Sequence, residues 1–79
     1  MHILFFAQVK DAVGVSEMSL TISGPLRIDE VWARLTQAQP KLAPFQKTTR
    51  LARNGEYAEA GTIFSDADEV ALIPPVSGG

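Results

Sequence analysis

The group in this 79-residue sequence with the clearest chemistry is the α-carboxylate of Gly79. A carboxylate is a poor electrophile, but adenylation by ATP converts it into a reactive mixed anhydride. Gly78 and Gly79 carry no side chains, so they can pass through a narrow channel in extended form without crowding the carbonyl. The sequence therefore predicts a C-terminus that the active site of another protein can reach and activate.

The residues before this end direct it away from the body of the protein. Pro74 and Pro75 lack N–H donors and hold φ at about −65°, so a sheet cannot continue through them. Residues 74–79 span roughly 20 Å when extended, which is enough to enter a deep site while the body docks outside. We expect residues 1–73 to form the folded domain and residues 74–79 to form a flexible tail.

The other reactive side chains do not form a recognisable catalytic or metal site. His2 is the single histidine and has no second ligand at a metal-binding spacing, so we interpret it as a surface or strand-end residue. Asp66, Asp68 and Glu69 lack the spacing of a calcium loop, and turn chemistry explains them better. No cysteine, nucleophile elbow or phosphate-binding loop is present. We expect a protein that is not catalytic alone and holds no metal or permanent cofactor.

Composition and charge exclude several classes of partner. The net charge is −2 and no basic run is present, which argues against nucleic acid. The longest apolar runs, Ile3 to Ala7 and Val70 to Pro75, are far too short to span a bilayer, and the N-terminus lacks the features of a signal peptide. One small domain with 46% hydrophobic residues and no cysteine fits a cytoplasmic protein.

Hydrophobic patterning predicts four or five strands and one helix. Apolar residues recur at helical spacing from about Ile28 to Gln39, and Pro40 ends that helix. Asn54-Gly55 is a strong hairpin signal, since both residues tolerate positive φ. The predicted strands are His2 to Lys10, Glu17 to Ser23, Thr48 to Arg53, Glu56 to Ala60 and Glu69 to Ile73.

These elements predict an α+β fold with a mixed four- to five-stranded sheet and the helix packed on one face. The first and last strands are the most apolar, so we place them side by side at the centre, parallel across the helical crossover. Alternation then puts Leu4, Phe6, Ala71 and Ile73 together on the helix-free face. Contiguous apolar surface of this kind is typical of an interaction site, and it would lie beside the root of the tail.

Four stretches of the sequence carry a resemblance to a known family. They are Leu4 to Lys10, Asn54 to Glu56, Asp68 to Leu72, and Pro74 to Gly79 with the sequence Pro-Pro-Val-Ser-Gly-Gly. In this order they resemble the small, sulfur-carrier subunit of molybdopterin synthase over nearly the whole chain. The resemblance implies a ubiquitin-like β-grasp fold, which agrees with the predicted order of elements.

The same resemblance implies a function for the C-terminus. A ubiquitin-activating-like adenylyltransferase would use ATP to convert Gly79 into an acyl-adenylate, and a sulfur donor enzyme would convert it into a thiocarboxylate. The tail would then enter the large subunit of molybdopterin synthase and donate sulfur to cyclic pyranopterin monophosphate. The assembled synthase would be a heterotetramer of two small and two large subunits, and the small subunit would bind a nucleotide through the acyl-adenylate at Gly79.

The resemblance also implies which residues contact partners. Phe6, Tyr57 and Ile73 match the hydrophobic docking surface of the family, and alternation had already placed Phe6 and Ile73 on one face. The remaining partner-contacting residues would be Pro74, Pro75, Val76 and Ser77, while Gly78 threads the channel and Gly79 carries sulfur. Arg27 stands where the family often has a helix-capping threonine, which predicts a weaker helix cap. Two further positions depart from the family: Arg53 stands where the family usually has an apolar residue, and Ala67 stands where it has a turn glycine.

The sequence also fits three other functions. A sulfur carrier for thiamine, cysteine or tRNA thiolation would have the same fold and tail. A ubiquitin-like protein modifier would end in an isopeptide bond between Gly79 and a lysine. A pure binding module would retain its function after deletion of Gly78 and Gly79.

Overall fold

Short strands and two helices make up the computed structural model, which describes residues 1–75. The strands and helices follow in the order β1 (His2–Phe5), α1 (Ala7–Val13), β2 (Glu17–Ser19), β3 (Leu26–Arg27), α2 (Ile28–Ala38), a 3-10 helix (Pro40–Phe45), β4 (Arg50–Arg53), β5 (Glu56–Tyr57), β6 (Ile63–Phe64) and β7 (Glu69–Ile73). Within this part of the chain, neither helix has the length and apolar character that a membrane span requires.

The main sheet has five strands in the order β2-β1-β7-β4-β5. β1 and β7 run parallel at its centre, and the other neighbouring pairs are antiparallel. β3 and β6 form a separate two-stranded antiparallel sheet. The predicted α+β class, the mixed sheet and the central parallel pair are therefore confirmed.

Helix α2 packs on one face of the sheet through its apolar stripe. Val31, Trp32 and Leu35 are buried, and their spacing places them on one side of the helix. The Glu30 side chain accepts a hydrogen bond from the Arg27 backbone N–H at 3.0 Å, but the Arg27 side chain accepts none in return. The N-terminus thus has half of a capping box, as the substitution of arginine for a capping residue predicts.

The core lies between α2 and the inner face of the sheet. Alternation along the central strands buries Ile3 and Phe5 of β1 together with Val70 and Leu72 of β7, all at most 1% exposed. The remaining buried residues of this cluster come from the helices, the connections and the other strands: Met1, Val9, Ile22, Val31, Trp32, Leu35, Leu42, Leu51 and Phe64.

The predicted first strand is wrong beyond Phe5. Ala7–Val13 is helix α1, which Ala7 enters with a left-handed φ of 49°. Gly14 ends it at φ 82°, with its N–H bonded to the Lys10 carbonyl, and a residue with a Cβ adopts this conformation poorly. A short apolar run fits a strand or a helix equally well. Val9 is buried in the core, as the strand pattern predicted, but it belongs to helix α1 and not to a longer β1.

The other predicted strands are shorter in the structure than in the sequence patterns. The second covers Glu17–Ser19, although Ile22 beyond it is buried as the alternation predicts. The third covers Arg50–Arg53 and the fourth only Glu56–Tyr57. Patterning did not predict β3 and β6, because two residues are too few to show a period of two.

Candidate docking surface

A shallow apolar groove lies on the helix-free face of the sheet. Its volume is about 340 Å³, and we call it the outer groove. Its apolar lining consists of Leu4, Phe6, Ala52, Tyr57, Ala71 and Ile73, with Gly55 and Glu69 completing the rim. The four residues that alternation assigned to this face, Leu4, Phe6, Ala71 and Ile73, all line it.

Strand register explains why a groove forms here. Leu4 lies beside Ala71, Ala71 is opposite Ala52, and Ala52 is opposite Tyr57, so these residues form one row across the sheet. The two alanines in the middle of the row are small, whereas Leu4 and Tyr57 at its sides are large. The surface is therefore low at Ala71 and Ala52, which we call the floor of the outer groove. It is high at Leu4 and Tyr57, which we call its walls.

Phe6 and Tyr57 give the outer groove its most exposed apolar surface, at 45% and 54% exposure. Phe6 lies between β1 and α1 in extended conformation, where its carbonyl accepts hydrogen bonds from Val9 N–H at 3.1 Å and Lys10 N–H at 3.2 Å. Tyr57 ends strand β5 directly after the hairpin turn. Large exposed apolar side chains that line one groove are typical of a protein-binding surface.

The predicted hairpin turn at Asn54-Gly55 is present, with φ values of 51° and 89°. The Asn54 side chain also holds this turn to the start of β7. Its Nδ2 donates to Asp68 Oδ1 at 2.9 Å, and its Oδ1 accepts from Glu69 N–H at 2.9 Å. The wall that carries Tyr57 is thereby fixed relative to the floor at Ala71.

The acidic residues before β7 have structural partners, in agreement with the interpretation as turn chemistry. Asp68 Oδ2 accepts the Ser65 backbone N–H at 2.8 Å, and this bond, followed by the one from Asn54, lowers the pKa of Asp68 below its ordinary value. Asp66 Oδ1 accepts the Ile22 backbone N–H at 2.9 Å, which is the main cause of a lowered Asp66 pKa. In residues 1–75, no cluster of potential metal ligands is found.

The two sides of the outer groove differ in charge. Arg50 lies opposite Ile73, and its guanidinium carbon is 3.9 Å from the centroid of the Tyr57 ring. Across the sheet, His2 lies between two carboxylates, with Nε2 3.5 Å from Glu17 and Nδ1 3.7 Å from Glu69. The side chain of His2 is 44% exposed, as the surface interpretation predicts.

The groove extends to Ile73, the residue before the predicted tail. Ile73 is half-buried, Pro74 is half-buried and Pro75 is exposed. The predicted contact residues Val76 and Ser77, and the predicted functional residues Gly78 and Gly79, lie outside the described residues. Phe6, Tyr57 and Ile73 thus line one groove that ends beside the start of the predicted tail, while their roles in docking stay a prediction.

A small mixed sheet with one long helix on its inner face defines a ubiquitin-like α+β domain, as the sequence predicted. Residues 3–79 match the sequence profile of the ThiS family, and the chain belongs to that family.

Proteins with similar sequences include molybdopterin synthase sulfur carrier subunits from several organisms. The chain is 34% identical to that of Chlamydomonas reinhardtii over 81 residues, which cover 100% of this chain and 98% of the relative. It is 28% identical to that of Homo sapiens, with 100% of this chain and 93% of the relative covered. The resemblance to the small subunit of molybdopterin synthase is confirmed.

Solved structures with a similar fold include SAMP1 from Haloferax volcanii, with a TM-score of 0.84, 28% identity, and 99% of this chain and 97% of that chain covered. A complex of subunits 1 and 2 of the molybdopterin-converting factor from Helicobacter pylori matches with a TM-score of 0.68 and 22% identity over 99% of this chain and 96% of that chain. At that identity the second match supports the fold alone.

Proposed function

We propose that this chain is a sulfur carrier in molybdopterin biosynthesis. The observation that carries the proposal is the match over the whole chain to molybdopterin synthase sulfur carrier subunits. An apolar groove at the root of the tail adds support, because a carrier needs a surface on which its partners can hold it. On this proposal the chain is not catalytic alone, and its reactive group is the carboxylate of Gly79.

The proposed chemistry has three steps at Gly79. A carboxylate oxygen attacks the α-phosphorus of ATP in the activating enzyme, which forms the acyl-adenylate and releases pyrophosphate. A donor that supplies sulfur at the oxidation level of sulfide then displaces AMP and leaves a thiocarboxylate. In the synthase, that sulfur forms a bond to a carbon of the pterin precursor while a carbon–oxygen bond at the same carbon breaks, and hydrolysis of the acyl–sulfur bond by water returns Gly79 to a carboxylate. A dithiolene contains two sulfurs, so each molecule of product consumes two carriers that end in a thiocarboxylate.

The proposed partners follow from these steps. They are a ubiquitin-activating-like adenylyltransferase, a sulfur donor enzyme and the large subunit of molybdopterin synthase. The match over the whole chain to molybdopterin synthase sulfur carrier subunits supports the last of these. We also propose that two small and two large subunits form the active heterotetramer, that the protein works in the cytoplasm, and that ATP belongs to the activating enzyme.

Intact-mass measurement tests the carrier role. The chain is co-expressed with the activating enzyme and a sulfur source, and the expected result is the mass change of one oxygen-to-sulfur exchange at Gly79. The matched control is the chain that lacks Gly79, which should show no exchange. An unmodified carboxylate, under conditions in which the activating enzyme is shown to consume ATP, would contradict the proposal.

Addition of the purified large subunit and cyclic pyranopterin monophosphate tests the pathway. A verified thiocarboxylate should then yield molybdopterin, which is detected by fluorescence after oxidation. If no product forms while a known carrier works in the same assay, the chain serves another pathway, such as thiamine, cysteine or tRNA thiolation.

Similarity to SAMP1 favours one second candidate function, that of a protein modifier. The chain is also similar to small archaeal modifier protein 1 from Methanosarcina acetivorans, at 27% identity and a TM-score of 0.72. A modifier would form an isopeptide bond between Gly79 and a lysine. Branched peptides that contain the C-terminus of this chain, found by mass spectrometry in cells that express it, would establish that role.

A further inference from the structure

Arg50 lies at the edge of the outer groove, and its guanidinium N–H groups donate no hydrogen bond within residues 1–75. The guanidinium groups of the other arginines are engaged: Arg27 contacts Glu30 at 3.4 Å, Arg34 donates to the Thr21 carbonyl at 3.2 Å, and Arg53 donates to the Ile63 carbonyl. In the described part of the chain, Arg50 has neither a carboxylate within 4.0 Å nor a side-chain hydrogen bond.

Stacking fixes the position of this free cation. The guanidinium lies 3.9 Å from the centroid of the Tyr57 ring, a distance at which an arginine and an aromatic face attract each other. Arg50 and Ala52 point to the same face of β4, and Ala52 pairs with Tyr57, so the hairpin register brings the cation and the ring together. A stacked guanidinium still presents its N–H groups at its edge, in the planar arrangement that matches a carboxylate.

The opposite side of the outer groove presents charge of the other sign. Glu69 is part of the rim, and Glu17 lies next to Leu4 in the adjacent strand. An incoming carboxylate is therefore attracted at the Arg50 side and repelled at the Glu69 side. The apolar floor between them accepts an uncharged side chain.

We propose that Arg50, held on the ring of Tyr57, pairs with a carboxylate of the protein partner that docks its apolar side chains in the outer groove, and so helps to select that partner and its orientation. This inference rests on the proposed function, and the partner is then the large synthase subunit. The carboxylate that meets Arg50 would lie at the rim of the interface, where charge mainly affects the association rate and its dependence on salt.

Association kinetics with the purified large subunit from the same organism test the proposal. Arg50→Ala removes the cation, and Arg50→Glu places a carboxylate where the partner is proposed to have one. The matched control is Arg34→Glu, which makes the same change of charge on helix α2, away from the outer groove. Each variant is first checked by thermal unfolding, and the rates are measured at low and at high ionic strength.

The expected association rate falls about 3-fold for Arg50→Ala and about 10-fold or more for Arg50→Glu at low salt, because like charges in an interface repel. Raising the salt concentration should slow the unmodified chain, and it should slow Arg50→Ala much less. Arg34→Glu should associate like the unmodified chain. If part of the Arg50→Glu chain is unfolded, the proposal is tested by Arg50→Ala alone, whose association rate should depend less on salt than that of the unmodified chain.

Two results overturn the proposal in different ways. If the unmodified chain binds the large subunit and both Arg50 variants bind equally fast with the same salt dependence, the role of Arg50 is wrong while the proposed function stands. If the unmodified chain shows no binding to a large subunit that binds its known small subunit, the proposed partner is wrong and the role of Arg50 is lost with it.

Discussion

The two faces of the central strands use similar residues for different purposes. On the inner face, Ile3 and Leu72 are completely buried under helix α2. On the outer face, their neighbours Leu4 and Ile73 remain partly exposed. Burial of an apolar side chain within the chain stabilises the fold, whereas an apolar side chain that stays in contact with water gains its stabilisation only when a partner covers it. The inner face therefore accounts for folding, and we expect the outer face to account for recognition.

The largest predicted effect separates these faces with two adjacent residues of β7. Leu72→Ala removes a fully buried side chain and leaves a cavity, so it should lower the free energy of unfolding by about 3 kcal/mol. Urea denaturation followed by circular dichroism measures this loss. The Leu72→Ala chain should still bind the large subunit normally under conditions where it is folded.

The matched variant is Ile73→Ala, one position further along the strand and on the other face. Because Ile73 is only half-buried, its truncation should cost about 1 kcal/mol of stability or less. The same change should weaken binding of the large subunit by about 10-fold or more, since truncated anchors in an interface commonly cost over 1 kcal/mol. If Ile73→Ala and Leu72→Ala lower the free energy of unfolding equally, the assignment of folding to the inner face and recognition to the outer face is wrong.

A smaller predicted effect concerns the link between the hairpin turn and β7. Asn54→Gly keeps the positive φ that the turn requires but removes both side-chain hydrogen bonds to β7, so it should cost about 1 kcal/mol of unfolding free energy. Asn54→Ala removes the same bonds and also disfavours the left-handed conformation, which should cost about 1 kcal/mol more. Chemical denaturation of the two variants separates these contributions.

The same pair of variants tests whether the turn positions the outer face. Loss of the Asn54 side chain should slow binding of the large subunit as well as lower stability, because the wall at Tyr57 is then held to β7 by the backbone bonds alone. Equal binding by Asn54→Gly and the unmodified chain would show that the link serves the fold alone.

The sequence predicted the inner face more completely than the details of the outer face. Alternation along Glu69 to Ile73 assigned Val70 and Leu72 to the core, and helical spacing found α2 to within one residue at its C-terminus. A strand was predicted where Ala7–Val13 forms a helix, because in so short a run Val9 fits both the strand period of about 2 residues and the helix period of about 3.6. The spacing of Val9 and Val13 before Gly14 was a usable signal for a helix with a glycine at its end.

The pairing of Arg50 with Tyr57 was accessible from the sequence but was not predicted. A two-residue turn at Asn54-Gly55 fixes the register of the hairpin, and that register places Tyr57 opposite Ala52. Arg50 then follows two positions away on the same face. The bond from Ile22 N–H to Asp66, by contrast, joins residues 44 positions apart, and no local pattern indicates it.

The smallest predicted effect is a loss of stability in acid that begins at these turns. The folded-state pKa values of Asp66 and Asp68 lie below the value of 3.8 expected for a free aspartate. Their contribution is therefore fully present above that value, where both carboxylates are charged in the folded and the unfolded chain. It is lost as the pH falls through the depressed values, because the unfolded chain then takes up protons first.

Urea midpoints between pH 6 and pH 2 measure this loss, and Asp68→Asn is the informative variant. Asparagine cannot titrate, so the variant should be less stable than the unmodified chain at pH 6 and should lose less stability on acidification. Because Asp68 bonds to both Ser65 and Asn54, its protonation weakens one of the two side-chain bonds between the hairpin turn and the start of β7. It therefore affects the wall of the outer groove before the buried inner face. Binding of the large subunit should therefore weaken at a higher pH than that at which the core unfolds. A coincident loss of binding and of core structure would mean that the two faces respond as one unit.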